Sequence, residues 1–256
     1  MGIFSAVKTI YTAHFLRLSL IINLLLGCLF FAKLAGAGQL QPYDLHYAAE
    51  LGGMKIEARH QLLQDSGQYS VKTQAKNFLG KVSEKGNFKI SDSGNIVPLK
   101  YAKQQKSIVG NRSETHIFDW ATNTLSYVYK KSQNTVALSE GQFDRLSLTQ
   151  QMRLDLARGG KKFGYTLFRK GEFKQYQYRV VNSEIIHLDQ GAFNAVQVER
   201  LEQGSSKKTK IWFAIDWDYI VLKMETFEDN SKKTMVLQHG KLNGNSILPL
   251  KNTVET

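Results

Sequence analysis

From Ile56 onward the chain alternates. Ile56, Ala58, His60 and Leu62 are separated by Glu57, Arg59 and Gln61; Tyr69, Val71, Thr73 and Ala75 are separated by Ser70, Lys72 and Gln74. Successive side chains of a strand point to opposite faces, so this period of two means extended chain with one face buried and the other in water. The rhythm returns in Tyr176, Tyr178 and Val180, in Ile211, Phe213 and Ile215, and in Ile220, Leu222 and Met224. Turn-forming clusters punctuate it: Gly52-Gly53, Asp65-Ser66-Gly67, Lys85-Gly86-Asn87, Asp92-Ser93-Gly94-Asn95, Asn182-Ser183, Gln203-Gly204-Ser205 and Glu228-Asp229-Asn230. Glycine and asparagine accept the positive φ that tight hairpins require. The pattern predicts a mainly β fold, a curved antiparallel meander forming a barrel or half-barrel. A sandwich gives the same alternation and stays open as an alternative.

One segment breaks the period. In Asp144 to Gly159 the residues Leu148, Met152 and Leu156 fall four apart, one stripe of a helix near 144–158. Ser147 with Gln150 three residues on reads as a capping box, and Gly159 suits the C-terminal cap. A single helix among many strands is expected to plug an open end or cover a concave face, its stripe packed in the core. There is no repeat and no Pro-rich linker, and only three prolines in all, so residues 38–256 read as one domain with a frayed tail from Leu248.

The first 37 residues carry Lys8, Arg17 and Lys33 but no Asp or Glu, and Leu18 to Ala32 is largely apolar. A basic entry, a short apolar core and the small-x-small exit Ala35-Gly36-Ala37 make a signal peptide over residues 1–37, with a periplasmic protein as its product. Two alternatives remain. Leu25-Leu26-Gly27-Cys28 resembles a lipidation box, yet apolar residues continue past Cys28. An uncleaved anchor is the other, although Leu18 to Ala32 is shorter than the roughly 20 residues a spanning helix needs. Membrane attachment is expected only through such an uncleaved or lipidated N-terminus.

Cys28 is the only cysteine, so a chain starting at Gly38 has no disulfide, no zinc–cysteine site and no thiol chemistry. Three of the 34 Lys and Arg lie in the N-terminal segment; the rest, against 22 Asp and Glu, leave a charge of +9. Such a surface favours a lipid headgroup or another anionic envelope component over nucleic acid, which an exported chain does not meet. No cofactor signature occurs: no G-x-S-x-G, no H-E-x-x-H and no phosphate-binding loop. Oligomeric state is not legible.

Five stretches taken together, "YDLHYAAELGG" (43–53), "SGNIVPLKY" (93–101), "DRLSL" (144–148), "GAFNAVQVER" (191–200) and "WFAIDWDYIVLKME" (212–225), resemble a domain-of-unknown-function family of exported, β-rich proteins of Gram-negative bacteria. The resemblance implies a periplasmic location and a curved antiparallel sheet similar to the lipoprotein-carrier half-barrels. It brings no catalytic residue.

Candidate sites follow from the meander. Turns at Lys170-Gly171-Glu172, Asp189-Gln190-Gly191 and Asp216-Trp217-Asp218 are expected at one end, gathering His187, Asp189, Asp216 and Asp218 from hairpins ~9–10 Å apart. Carboxylates and an imidazole so placed suit a divalent ion or acid–base hydrolysis of an envelope polymer, although Asp also favours turns for its local hydrogen bonds. The opposite end is expected to collect Lys161, Lys162, Lys207, Lys208, Lys232 and Lys233 as a basic rim. Tyr176, Tyr178, Trp212 and Phe213 are cavity candidates, because a strand apolar on both faces is either buried twice or lines a ligand. Three functions compete: a non-enzymatic binder of an apolar or amphiphilic ligand, a hydrolase using the acidic end, and a structural scaffold of an envelope complex.

Overall fold

In the computed structural model the described residues are 39–251, apart from 52–53, 78, 109, 130–131, 202–206 and 229–230. Cys28, Ala35 and Ala37, and with them the choice between cleavage, anchoring and lipidation, lie outside the described residues. Eight strands come first: β1 (Tyr43–Leu51), β2 (Met54–Asp65), β3 (Gln68–Asn77), β4 (Gly80–Ile90), β5 (Ile96–Ser107), β6 (Gly110–Asp119), β7 (Thr124–Tyr129) and β8 (Ser132–Ala137). A short β9 (Gln142–Phe143) leads into the helix α1 (Arg145–Ala157). Then follow β10 (Lys162–Arg169), β11 (Glu172–Leu188), β12 (Gly191–Leu201), β13 (Lys208–Ala214), β14 (Val221–Glu228), β15 (Ser231–Leu242) and β16 (Asn245–Ser246).

All strands belong to one sheet, in the order β8-β7-β6-β5-β4-β3-β2-β1-β15-β14-β13-β12-β11-β10-β9, with β16 on β15. β1 lies between β2 and β15 and so fuses the two meanders. Pairing is antiparallel except at β9–β10. The sheet is curved but not closed, which settles the sandwich alternative against. Its two ends meet through side chains instead: Phe168 of β10 packs edge-on against Tyr127 of β7, ring centroids 4.8 Å apart, and the Tyr127 hydroxyl donates to the Gly171 carbonyl. Phe118, Leu125 and Leu138 complete this seam. The rings join the two ends one strand in from each edge, and the edge strand β8 itself stays largely exposed.

Helix α1 fills one half of the curved sheet. Its stripe Leu148, Met152 and Leu156 is buried, as expected, but so are Leu146, Gln150, Gln151, Arg153 and Leu154. The cap differs from the expected one. Asp144 is the N-cap, accepting from the Leu146 and Ser147 amides, and Ser147 is the reciprocal residue of the capping box. A carboxylate one turn earlier outcompetes the Ser147 hydroxyl because it accepts two amide bonds at once. Gly159 follows the C-cap with φ +80.

Gly86 explains how the helix comes so close. The Lys85-Gly86-Asn87 cluster is not a turn; it lies within β4. A Cβ on Gly86 would sit 3.1 Å from the Val71 side chain and 3.3 Å from that of Leu146. The residue is glycine because the helix touches the strand, and chain reversal has no part in it.

The helix also reads polar contacts across the interior. Arg153, nearly fully buried, donates to the Asp218 carbonyl at 3.0 Å, to its carboxylate at 2.7 Å and to Gln150 at 2.7 Å, and stacks over the Tyr43 ring. Asp218 and Tyr219 both adopt left-handed backbone, φ +50 and +51. Such strain at non-glycine residues persists where the surroundings over-determine it, and Arg153 supplies that constraint. Beside this, His60 shares a hydrogen bond of 2.6 Å with Thr73 and stacks on Tyr43. Burial, with the Arg153 and Arg145 charges adding to it, pushes the imidazole down to about 3.

Two further expectations are corrected here. No turn occurs at Asn182-Ser183; β11 runs unbroken for 17 residues and absorbs the mismatch as a bulge at Val181. A bulge bends a strand without ending it, and polar residues suit its exposed side. The tail from Leu248 is not frayed as far as Leu250. Trp217 donates to the Leu248 carbonyl, the Leu250 amide donates to Ala192, and Pro249 covers Gly191.

Replacing Arg153 by Met is expected to lower stability by about 3 kcal/mol, because Asp218 and Gln150 lose their buried partner; a urea midpoint unchanged from wild type would contradict this. His60 binds a proton in the unfolded chain near pH 6.5 but in the folded one only near pH 3, so stability is lost as pH falls through that window. The loss between pH 8 and 5 is expected to be roughly 1–2 kcal/mol. In His60→Gln that part of the pH dependence of the melting temperature should disappear.

Candidate functional site

Gly86 and Val71 face α1, so their cross-strand neighbours identify the helix side of the whole sheet. Under the helix this face is fully buried, with Leu45, Leu62, Val71 and Tyr101 all at 4 % exposure or less. One step further along the strands runs a polar belt. Glu84, Lys103 and Glu114 are direct neighbours on β4, β5 and β6. Glu84 is buried and held by the Arg145 guanidinium at the start of the helix and by Lys103 at 3.4 Å. His116 bonds Glu114 at 2.8 Å. Burial acts to raise the Glu114 carboxyl, but the His116 bond and the charges of His116, Lys103 and Arg145 hold it below the usual range. Every carboxylate of the belt is thus neutralised internally. Lys103 and Arg145 keep 34 % and 61 % of their side chains exposed, so both cations remain accessible from solvent while paired with Glu84.

Beyond the belt the helix no longer covers the sheet. A continuous apolar row crosses seven strands there: Val180, Val198, Ile211, Met224, Met235, Ala49 and Ile56, each directly opposite the next. Only Val198 is fully buried; the other six remain partly exposed. Ala58, Ala75 and Val82 extend the same face across β2, β3 and β4, also partly exposed and short. The open half therefore presents an apolar wall of small and flexible side chains beyond the polar belt.

The cavity candidates fall differently. Trp212 and Phe213 are buried and lie on opposite faces of β13. Near the helix end both faces of these strands are packed: Phe193, Ala195 and Ala214 on one, Val196, Val198 and Phe213 on the other. Double burial is the reading that holds for them. The Trp212 indole donates to Glu184 and lies under Lys223. Tyr178 is buried, and Tyr176 beside it is partly exposed under the Arg200 guanidinium.

The acidic end does not assemble as expected. Asp218 is committed to Arg153 and to the Gln41 amide, and Asp216 accepts from Asn194. With no turn at Asn182, the Lys170-Gly171 tip lies at the other end of β11 from Asp189. Among the described residues no group of three or more His, Cys, Asp or Glu side chains is placed to hold a metal ion, His187 and Asp189 included. Of the lysines, Lys207 and Lys233 bond Glu228 at 3.0 and 3.2 Å and Lys232 bonds Glu225 at 2.9 Å, with Lys208 beside them opposite Phe227. Lys161 and Lys162 stand apart, Lys162 sharing a shallow recess with Asp155 and Arg158 at the helix C-terminus. The rim is an ion-paired edge. The polar belt escaped the sequence reading because Glu84, Lys103 and Glu114 are 11 or more residues apart and become neighbours only through strand register.

Comparison with known proteins agrees with this architecture and adds no activity. The family of proteins of unknown function DUF3108 matches residues 42–238. No curated protein matches. Among solved structures, a β-barrel-like protein of the unknown-function domain DUF1849 from Brucella abortus is similar at 11% identity with a TM-score of 0.56, over 80% of this chain and 98% of that one. A porin-like protein from Bacteroides uniformis matches at 10% identity with a TM-score of 0.30, over 78% and 96%. With the family match extending from the start of β1 into β15, the chain belongs to the DUF3108 family of proteins of unknown function.

Proposed function

We propose that the protein is a non-enzymatic component of the cell envelope that binds an amphiphilic ligand in the uncovered half of its sheet. The observation that carries this reading is the seven-strand apolar row, which a purely structural core would bury and which here stays partly exposed. An apolar chain lies against Met224, Met235 and Ile211, while an anionic head is drawn to Lys103 and Arg145. Methionine suits such a wall because its unbranched side chain refits to ligands of varying shape. Export through the basic and apolar N-terminal segment supports a periplasmic setting, where such ligands occur. The internally paired carboxylates of the belt, and the use of Asp216 and Asp218 within the fold, favour binding over hydrolysis.

The purified protein is expected to bind a fluorescent fatty acid and to carry lipid in native mass spectra. Substituting Met224 and Met235 together by Gln removes part of two apolar contacts, roughly 1–2 kcal/mol, and should weaken the probe about tenfold with little change in melting temperature. A ligand-free mass spectrum together with no probe binding would end this reading.

A further inference from the structure

The face of β2 to β5 turned away from α1 carries a charge pattern that works against the sheet. Lys76 lies directly opposite Lys81 on the next strand, and Lys81 directly opposite Lys106 on the one after. Lys72 and Lys85 form a second such pair four residues further along the strands. Like charges directly across a strand pair repel and destabilise it. Lys76 has a partner in Glu57 at 3.6 Å, with both side chains mostly in solvent. Among the described residues Lys81 and Lys106 form no ion pair. Glu57 stands directly opposite Lys76 and ends the row on β2, but from β3 to β5 the row is lysine alone, where a surface needing only solubility would mix signs.

These lysines line a groove of about 750 Å³ that crosses β15, β1, β2, β3, β4 and β5. A second row, roughly 7 Å away along the strands, runs parallel to them within the groove: Arg59, Gln74, Ser83 and Gln104. One row is thus cationic with its charges about one strand spacing apart, roughly 5 Å. The other is mainly amide and hydroxyl. Among the described residues none of the exposed large apolar side chains lines the groove, so none of them is placed there to insert into a bilayer.

We propose that this groove binds an extended acidic polysaccharide lying across the strands. Its anionic groups sit on Lys76, Lys81 and Lys106, and its hydroxyls exchange hydrogen bonds with Gln74, Ser83 and Gln104. The ligand supplies the negative charge that the lysine row lacks. By register the three lysines point to the opposite face from the apolar row, while Ala58, Ala75 and Val82 between them also line the groove. The lysine substitutions leave Met224 and Met235 untouched, so the two readings are tested separately.

Heparin, as a sulfated glycan, and dextran, as a neutral one, serve as probes in calorimetric titrations at low ionic strength. Heparin is expected to bind, with affinity falling steeply as salt is added, and dextran is expected not to. Lys76→Gln, Lys81→Gln and Lys106→Gln combined should weaken heparin at least tenfold. The same three changes should raise the melting temperature at low salt, because the repulsion is gone, so lost binding cannot be ascribed to unfolding. Lys161→Gln, Lys162→Gln and Lys208→Gln combined remove the same charge outside the groove and should change affinity less than twofold. Equal losses in the two triple variants, or unchanged binding in the first, would overturn the proposal. So would binding of phosphatidylglycerol vesicles with the same dependence on the three groove lysines, which would assign the face to a membrane surface.

Discussion

The close approach of α1 to β4 is the contact on which the rest of the structure depends. At Gly86 a methyl group would fit only if Val71 and Leu146 gave way by a few tenths of an ångström, so Leu146 rests close against the strand. From that point the helix is held at both ends: Arg145 to Glu84 at its start, Tyr165 and the Asp155 carboxylate near its finish. Arg153 ties its middle to the β13–β14 turn across the interior. A sheet of this many strands, left open, has too much interior for its own side chains to fill. The helix fills one half and, because it is only 13 residues long, leaves the other.

That division gives the two faces of the sheet separate physical characters. Towards the helix, burial grades from a dry core through a neutralised polar belt to an apolar wall in contact with solvent. On the other side, β2 to β5 carry exposed lysines in register. An open sheet leaves unpaired edges, which invite pairing with other chains. Here the β10–β11 hairpin reaches across to β7 and the aromatic seam of Phe168, Phe173 and Tyr127 joins the ends without a ladder of backbone bonds. Side-chain closure of this kind leaves the curvature free to follow the helix, which a continuous hydrogen-bonded barrel would not.

Much of this was legible residue by residue. The alternation from Ile56 to Ala75 and the four-spaced stripe from Leu148 to Leu156 each report a local periodicity, and local periodicity is what a sequence displays directly. Apolar bulk on both sides of β13 correctly signalled double burial as one of two readings. The failures share a cause. Gly86 resembles a turn residue when read with Lys85 and Asn87, and Asn182-Ser183 resembles a turn when the bulge is unseen. In both cases the deciding contact comes from a distant segment, Leu146 in one and the β12 register in the other. The acidic residues near the turns were grouped by topology alone, and one misread turn moved Lys170-Gly171 to the wrong end.

By itself, then, the sequence determined a chain of strands with one helix, a cationic surface and no cysteine after Cys28. Strand direction, amphipathicity and charge are properties of neighbouring residues, so they survive without coordinates. Only the tertiary structure decided which strands are neighbours, and hence that Glu84, Lys103 and Glu114 form a belt, that seven apolar residues form one row, and that Lys76, Lys81 and Lys106 face each other. Register places residues far apart in the chain within about 5 Å of one another, and no pattern within a single strand records it.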